Sequence, residues 1–283
     1  MTVHHLQRET EHLVSTYIFD NGYQHERERL ASLENIFDPG TFRVMSGLGV
    51  GPGWRCWEVG AGGGSVAAWL SERVGPAGKV LATDLDPRFV ELLAADRPNL
   101  DVRRHDVVAD AAPAEAFDLI HARMVLEHLP GRECVLGRLA EALAPGGRLV
   151  IEAIDFCTEQ PDPTLDPAAA ASYARLIDAR ARILADHGFD HGFARGLPRR
   201  FRRLGLTEIA AEGRAYSWTG GSPGANVWLL STEQTAPRMI ERGYADQSDI
   251  DRLRQILTDP TFAATSPLMM ATWGRRANVT TVS

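Results

Sequence analysis

Lysine is nearly missing from this sequence. Of its 283 residues only Lys79 is one, and every other basic side chain is arginine or histidine. Lys79 stands at the start of a predicted strand, which argues against amine chemistry such as Schiff-base formation. Cysteine is scarce too. Cys56, Cys134 and Cys157 are widely spaced, with no CxxC pair and no zinc-ligand spacing. That excludes a disulfide scaffold, predicts no metal centre and suits a reduced, cytoplasmic compartment. Long apolar runs are lacking, so no membrane span and no membrane partner are expected. The opening "MTVHHLQRETEHLV" has no basic start leading into an apolar run, so no signal peptide is expected. Positive charge in excess is also absent. The net charge of −7 gives no global field for nucleic acid. The densest basic run, "ARGLPRRFRRLG", with Arg195, Arg199, Arg200, Arg202 and Arg203, reads as a solvated helix face, with a phosphate-bearing substrate as the alternative. His187 and His191 have the i, i+4 spacing of a helical metal pair, but Gly188 and Gly192 point to a loop.

What is present is ordinary for a globular chain: 44% hydrophobic and 24% charged residues. The length suits one core domain with appendages. Residues 3–36 are polar with helical spacing, broken near "FDNGY", and 41–50 read as another helix; 1–45 is therefore expected to be a helical N-terminal lid on a domain at 46–283. From residue 55 strands and helices alternate. Strands are predicted at 55–60, 79–85, 100–107, 117–123 and 147–155, and helices at 64–74, after Asp86-Pro87 as cap and first turn, and at 132–143. Short connections between them imply βαβ units, an α/β fold and a parallel sheet. A long helix at 168–188, a core helix near 196–204, a strand at 206–220, helices within 223–258 and a last strand at 266–276 complete the pattern. Helical insertions are thus expected at about 156–195 and 222–260.

The stretch "CWEVGAGGGSVAAWL" places Gly60, Gly62 and Gly64 between the first strand and a helix. Missing side chains admit positive φ and close approach of a ligand to the backbone. A dinucleotide GxGxxG turn would need glycine at position 65, where Ser65 stands, and the motif is instead E-x-G-x-G-x-G led by Glu58. Asp84 ends the second strand, where a carboxylate can accept both ribose hydroxyls of a nucleoside. Asp106 ends the third, where it can accept from an adenine amino group with Val107 packing on the ring. A turn aspartate is the plainer account of Asp106 taken alone.

These motifs, with "TDLDP", "HDV", "FDLIHARMVLEHLP" and "LAPGGRLVIEAID", resemble class I S-adenosylmethionine-dependent methyltransferases over roughly residues 54–155, most nearly the small-molecule branch that includes the ubiquinone/menaquinone type. The resemblance implies a Rossmann-like, doubly wound, seven-stranded sheet whose last strand, 266–276, is antiparallel. It implies S-adenosyl-L-methionine as cofactor, with Glu58, Gly60, Ala61 and Gly62 near its methionine end. Asp84 and Leu85 would lie at the ribose, Asp106 and Val107 at adenine, and His121 and Ala122 beside the cofactor after strand four. It also implies a small organic acceptor, methylated on oxygen before nitrogen or carbon, and no nucleic-acid partner.

The sulfonium is already activated, so alignment carries most of the chemistry, and a base is needed only if the acceptor holds a proton. His128 in "LEHLP" is the candidate catalytic base, with loop capping as the equal alternative. Tyr17, Tyr23, His25, Tyr173, Trp228 and Met239 are candidates for an apolar acceptor pocket under a helical lid, or for ordinary packing. Two competing functions remain: a methyltransferase-like fold that binds the cofactor without transferring methyl, and a nicotinamide oxidoreductase. The second is disfavoured by Ser65 and by the absence of a Tyr-x-x-x-Lys pair.

Overall fold

The structure, a computed structural model, describes residues 18–19, 22–114 and 116–278. Tyr17 and the helix expected before it lie outside those residues.

Seven strands form the central sheet: β1 Arg55–Val59, β2 Lys79–Asp84, β3 Leu100–Arg104, β4 Phe117–Arg123, β5 Leu143–Asp155, β7 Thr207–Arg214 and β10 Leu268–Arg275. Their order is β3-β2-β1-β4-β5-β10-β7, and β10 runs antiparallel to both its neighbours. This is the doubly wound sheet with an antiparallel last strand that the motifs imply. The order reverses beside β1, so a ligand crevice opens at the carboxyl ends of β1 and β4. β1 and β2 are buried along nearly their whole length, as central parallel strands must be when helices cover both faces.

On one face, Trp57, Val59, Leu81 and Ile120 pack with Leu139 of α4 (Arg132–Ala142) and Phe201 of α6 (Phe193–Arg203). On the other, Cys56, Val80 and Ala82 meet Val66 and Leu70 of α2 (Ser65–Val74), Val90 of α3 (Arg88–Ala94), and Val44 and Met45 of α1 (Glu26–Gly47). Strand alternation puts Glu58, His121, Glu152 and Arg214 on this second face, beneath α1. The register sets Glu58 beside His121 and Arg123 beside Glu152.

α1 is one helix where the sequence suggests two. It runs through Pro39 because its buried face, Phe37, Gly40, Thr41, Val44 and Met45, is held against the sheet. The cap falls one residue later than expected: Pro87, not Asp86, is the N-cap, and Asp86 accepts from Arg88 N at 3.4 Å.

The insertions supply α5 Pro167–Asp186, capped by Asp166, then α7 Pro223–Glu241 and α8 Gln247–Thr258, the last opened by an Asp246/Asp249 capping box. A small three-stranded antiparallel sheet, β6 (Gln160–Pro161), β9 (Ala263–Thr265) and β8 (Ser217–Thr219), ties them together. The strand expected at 206–220 is therefore divided: β7 stays in the large sheet and β8 leaves it. Strands of two or three residues carry no readable periodicity. No helix among the described residues is long and apolar enough to cross a membrane.

Candidate active site

A cavity of about 220 Å³ opens at the carboxyl ends of β1, β2 and β4. Glu58, Gly60, Ala61, Gly62, Asp84, Leu85, Asp106, Val107 and His128 line it. The glycine loop is shaped by hydrogen bonds: Thr83 O accepts from Gly60 N at 2.8 Å and Ala61 N at 3.0 Å. Gly60 has φ +69°, and a Cβ there would run into the Val125 side chain. Gly62, at φ +54°, is also left-handed. Both positions thus need glycine for backbone reasons, and the bare loop is what forms the cavity floor.

Asp84 does more than face the cavity. Its Oδ2 accepts from Gly62 N at 2.9 Å and its Oδ1 from Asp86 N at 3.0 Å. It therefore ties the glycine loop to the end of β2. Burial pushes its pKa up, and these backbone donors oppose the shift. Asp106 Oδ1 accepts from Val108 N at 2.8 Å and Ala109 N at 3.3 Å, so it caps its own turn while lining the cavity. Leu85, nearly half exposed, and Val107 give this end an apolar wall beside Phe89.

His121 and Ala122 do not line the cavity; both are fully buried within the sheet. The wall after β4 comes from the next three residues, Arg123, Met124 and Val125. Met124 has φ +57°, a left-handed conformation rare for a non-glycine residue, and its N–H donates to Glu152 O at 2.8 Å. That turn aims the chain into the cavity, and its conformation is not legible in residue types.

His121 lies behind the wall between two carboxylates. Nδ1 donates to Glu58 Oε2 at 2.6 Å and Nε2 to Glu152 Oε2 at 3.4 Å. Burial pulls the imidazole pKa down, but the Glu58 and Glu152 carboxylates outweigh it and raise it to about 9. Burial likewise pushes Glu152 up, yet His121, Arg214 and Arg123 bring it down to about 2. Thr41 and Arg214 complete the Glu152 shell, while Arg123 donates to Thr41 Oγ1 at 3.0 Å and Asp38 Oδ1 at 2.9 Å.

α1 closes the cavity with Glu26, Arg29, Leu30, Leu33 and Glu34, and Phe19 precedes it. Arg29 grips Glu26 bidentately at 2.6 and 2.8 Å, with both side chains almost wholly buried. These polar residues were missed because the segment 3–36 reads only as polar with helical spacing. Residues of 156–195 and 222–260 are not in the lining. They form a layer behind it: Asn226 of α7 donates to Glu28 and Ser32 of α1, both at 3.1 Å. Tyr173, Trp228 and Met239 are buried in the apolar cluster of that layer. Tyr23 and His25 pair with each other, ring centroids 5.6 Å apart, and are not in the lining either.

His128 sits on the wall between Phe19 and Phe189, at ring separations of 6.2 and 4.8 Å. Burial, with the positive charges of Arg29 and Arg132, depresses its pKa to about 3. It is a neutral imidazole at physiological pH and a weak base. His187 Nδ1 and His191 Nε2 each bond a backbone carbonyl, of Ile183 and Ala181 respectively.

A seven-stranded sheet of this order, with a glycine loop and strand-end carboxylates around one cavity, defines the class I S-adenosylmethionine-dependent methyltransferase fold. Residues 57–149 match the methyltransferase domain family, which bears out the resemblance to class I S-adenosylmethionine-dependent methyltransferases and to their cofactor, S-adenosyl-L-methionine. Methyltransferase str3 of Strobilurus tenacellus is 29% identical over 165 residues, 58% of each chain. Nocamycin O-methyltransferase of Saccharothrix syringae is 33% identical over 119 residues, 40% of this chain and 42% of that one. The chain spans about half the length of the curated relatives it matches. In fold it is similar to a candidate methyltransferase from Bacillus halodurans C-125, with TM-score 0.54 and 14% identity over 83% of this chain and 98% of that one.

Proposed function

We propose that this protein transfers the methyl group of S-adenosylmethionine to an oxygen of a small, largely apolar acceptor that is already acidic. The observation that carries the reading is the composition of one cavity. Carboxylates of Glu58, Asp84 and Asp106 share it with a bare glycine loop, and an apolar wall from α1 faces them. The cofactor is flat and apolar at its base, rich in hydroxyls at its ribose and net positive at its methionine end, so the lining fits it. In this reading Glu58, Gly60, Ala61 and Gly62 hold the methionine end, Asp84 and Leu85 the ribose, and Asp106 and Val107 the adenine.

When bound, the cofactor supplies an activated methyl group. The chain supplies alignment and exclusion of water. Phe19, Leu30, Leu33, Met124, Val125 and Leu129 offer the acceptor an apolar wall. His128 orients it through a neutral imidazole rather than removing a proton, because a base of such low pKa cannot deprotonate an alcohol. An acceptor oxygen that is ionised at neutral pH, a carboxylate or an acidic phenol, needs no such base. The O-methyltransferase among its relatives supports oxygen as the acceptor atom.

The test is turnover of labelled S-adenosylmethionine with parallel panels of carboxylic acids, acidic phenols, aliphatic alcohols and amines, read as S-adenosylhomocysteine. Acids or phenols should turn over and alcohols should not. Turnover confined to amines would overturn the oxygen assignment. Tight cofactor binding with no turnover across the panels would favour a fold that does not transfer methyl.

A further inference from the structure

Beyond Glu58, the proposed transfer gives no task to the seam of buried charges that crosses the sheet beneath α1. It begins at Glu58, which lines the cavity, and passes through His121 to Glu152 and Arg214. Both ring nitrogens of His121 face carboxylate oxygens, so the ring carries both protons. Its exposure is nil, and an unpaired ion there would be costly. At the cavity end, His121 occupies Glu58 Oε2, and no donor among the described residues reaches Oε1.

We propose that His121 is a positioning residue of the cofactor site: its imidazolium, anchored by Glu152, fixes Glu58 as an anion whose remaining oxygen holds the positively charged methionine end of the cofactor. The inference rests on the assignment of Glu58 to that end. The geometry explains why histidine stands here. A short, rigid ring bridges two carboxylates on strands flanking its own, where a longer cation would have to fold back. α1 covers the seam closely: a Cβ on Gly40 would lie 2.8 Å from the Arg214 guanidinium carbon.

The charges around His121 are Glu58 from β1, Arg123 from its own strand, Glu152 from β5, Asp38 from α1, and Arg214 from β7 with the Tyr216 hydroxyl beyond it. Burial pushes the Glu58 pKa up, and the His121 and Arg123 charges oppose it. Burial outweighs them and holds Glu58 above its ordinary value; without the imidazolium its pKa rises further, and Glu58 takes up a proton at a higher pH.

The experiment is calorimetric titration of S-adenosylmethionine into wild type, His121→Gln and Glu58→Gln between pH 6 and 8.5. The variants are compared with wild type at each pH, so that titration of the cofactor's own amine cancels. His121→Gln keeps a hydrogen bond to Glu58 but no charge. Its affinity relative to wild type should drop at least about tenfold from pH 8 to pH 6, one pKa unit of coupling. Glu58→Gln should be weak at every pH with a flat ratio, and 5′-methylthioadenosine, which lacks the charged end, should bind all three alike. A flat ratio for His121→Gln beside a weakened Glu58→Gln would overturn the positioning role. Wild-type affinity in Glu58→Gln would overturn the Glu58 assignment instead. If His121→Gln does not fold, nitrogen-15 NMR of wild type decides. One histidine should keep both ring protons at pH 8, and its absence would refute the proposal.

Discussion

Gly63 and Glu34 compete for the same space. A Cβ on Gly63 would overlap the Glu34 carboxylate, so α1 rests directly on the glycine loop. Burial of Glu34 raises its pKa, with Arg27 opposing at 3.5 Å. The helix α1 and the glycine loop are therefore packed as one unit at this point.

That contact separates two glycines by experiment. Gly63→Ala needs no unusual backbone, and the overlap falls on the far ends of the flexible Glu34 and Arg27 side chains. It should cost under about 1 kcal/mol of stability. Gly60→Ala meets both φ +69° and the stiff, β-branched Val125, and should cost about 1–3 kcal/mol. Urea melts of the two variants check the order; equal losses would remove the special status of Gly60.

Asp84→Ala should weaken S-adenosylhomocysteine binding by about 10- to 100-fold, through lost charge-assisted hydrogen bonds to the ribose. It should also lower stability by about 1–3 kcal/mol, because the Gly62 N–H loses its acceptor. Asp106→Ala should lower affinity with less effect on stability, since its bonds stay within its own turn. Calorimetry and thermal melts on the same samples read both quantities. Unchanged affinity in a folded Asp84→Ala protein would remove the ribose assignment.

His128 sets an acid limb on stability. Its folded pKa, about 3, lies below the unfolded value of 6.5. Between those values only the unfolded chain binds the proton, so stability falls as pH drops below 6.5, by up to about 1.4 kcal/mol per pH unit. His128→Phe should flatten that limb. In turnover, His128→Ala should cost under about tenfold in kcat and leave the rate profile without a change near pH 6.5, far less than loss of a general base at ~10²–10⁴-fold. Denaturant melts from pH 4 to 8 and a pH–rate profile check the two halves. Loss of a rate limb in the variant would restore His128 as a base.

The sequence by itself determined the sheet, its strand-end carboxylates and its glycine loop. These depend on local signals: apolar runs of strand length, glycines where φ must be positive, and aspartates at strand ends. It placed Gly60, Gly62, Asp84 and Asp106 in one crevice because alternating βαβ units bring their carboxyl ends together. Only the tertiary structure decided what lies opposite. His121 looks like a wall residue by position, yet the register buries it between Glu58 and Glu152, and the Met124 turn puts the wall two residues later. Glu26 and Arg29 lie in a segment that reads only as polar and helical, yet α1 folds them onto the cavity as a closed pair. His128 looks like a base by type, yet burial beside two arginines takes its basicity away. Burial and charge at these positions come from elements far apart in the chain, and no local pattern records them.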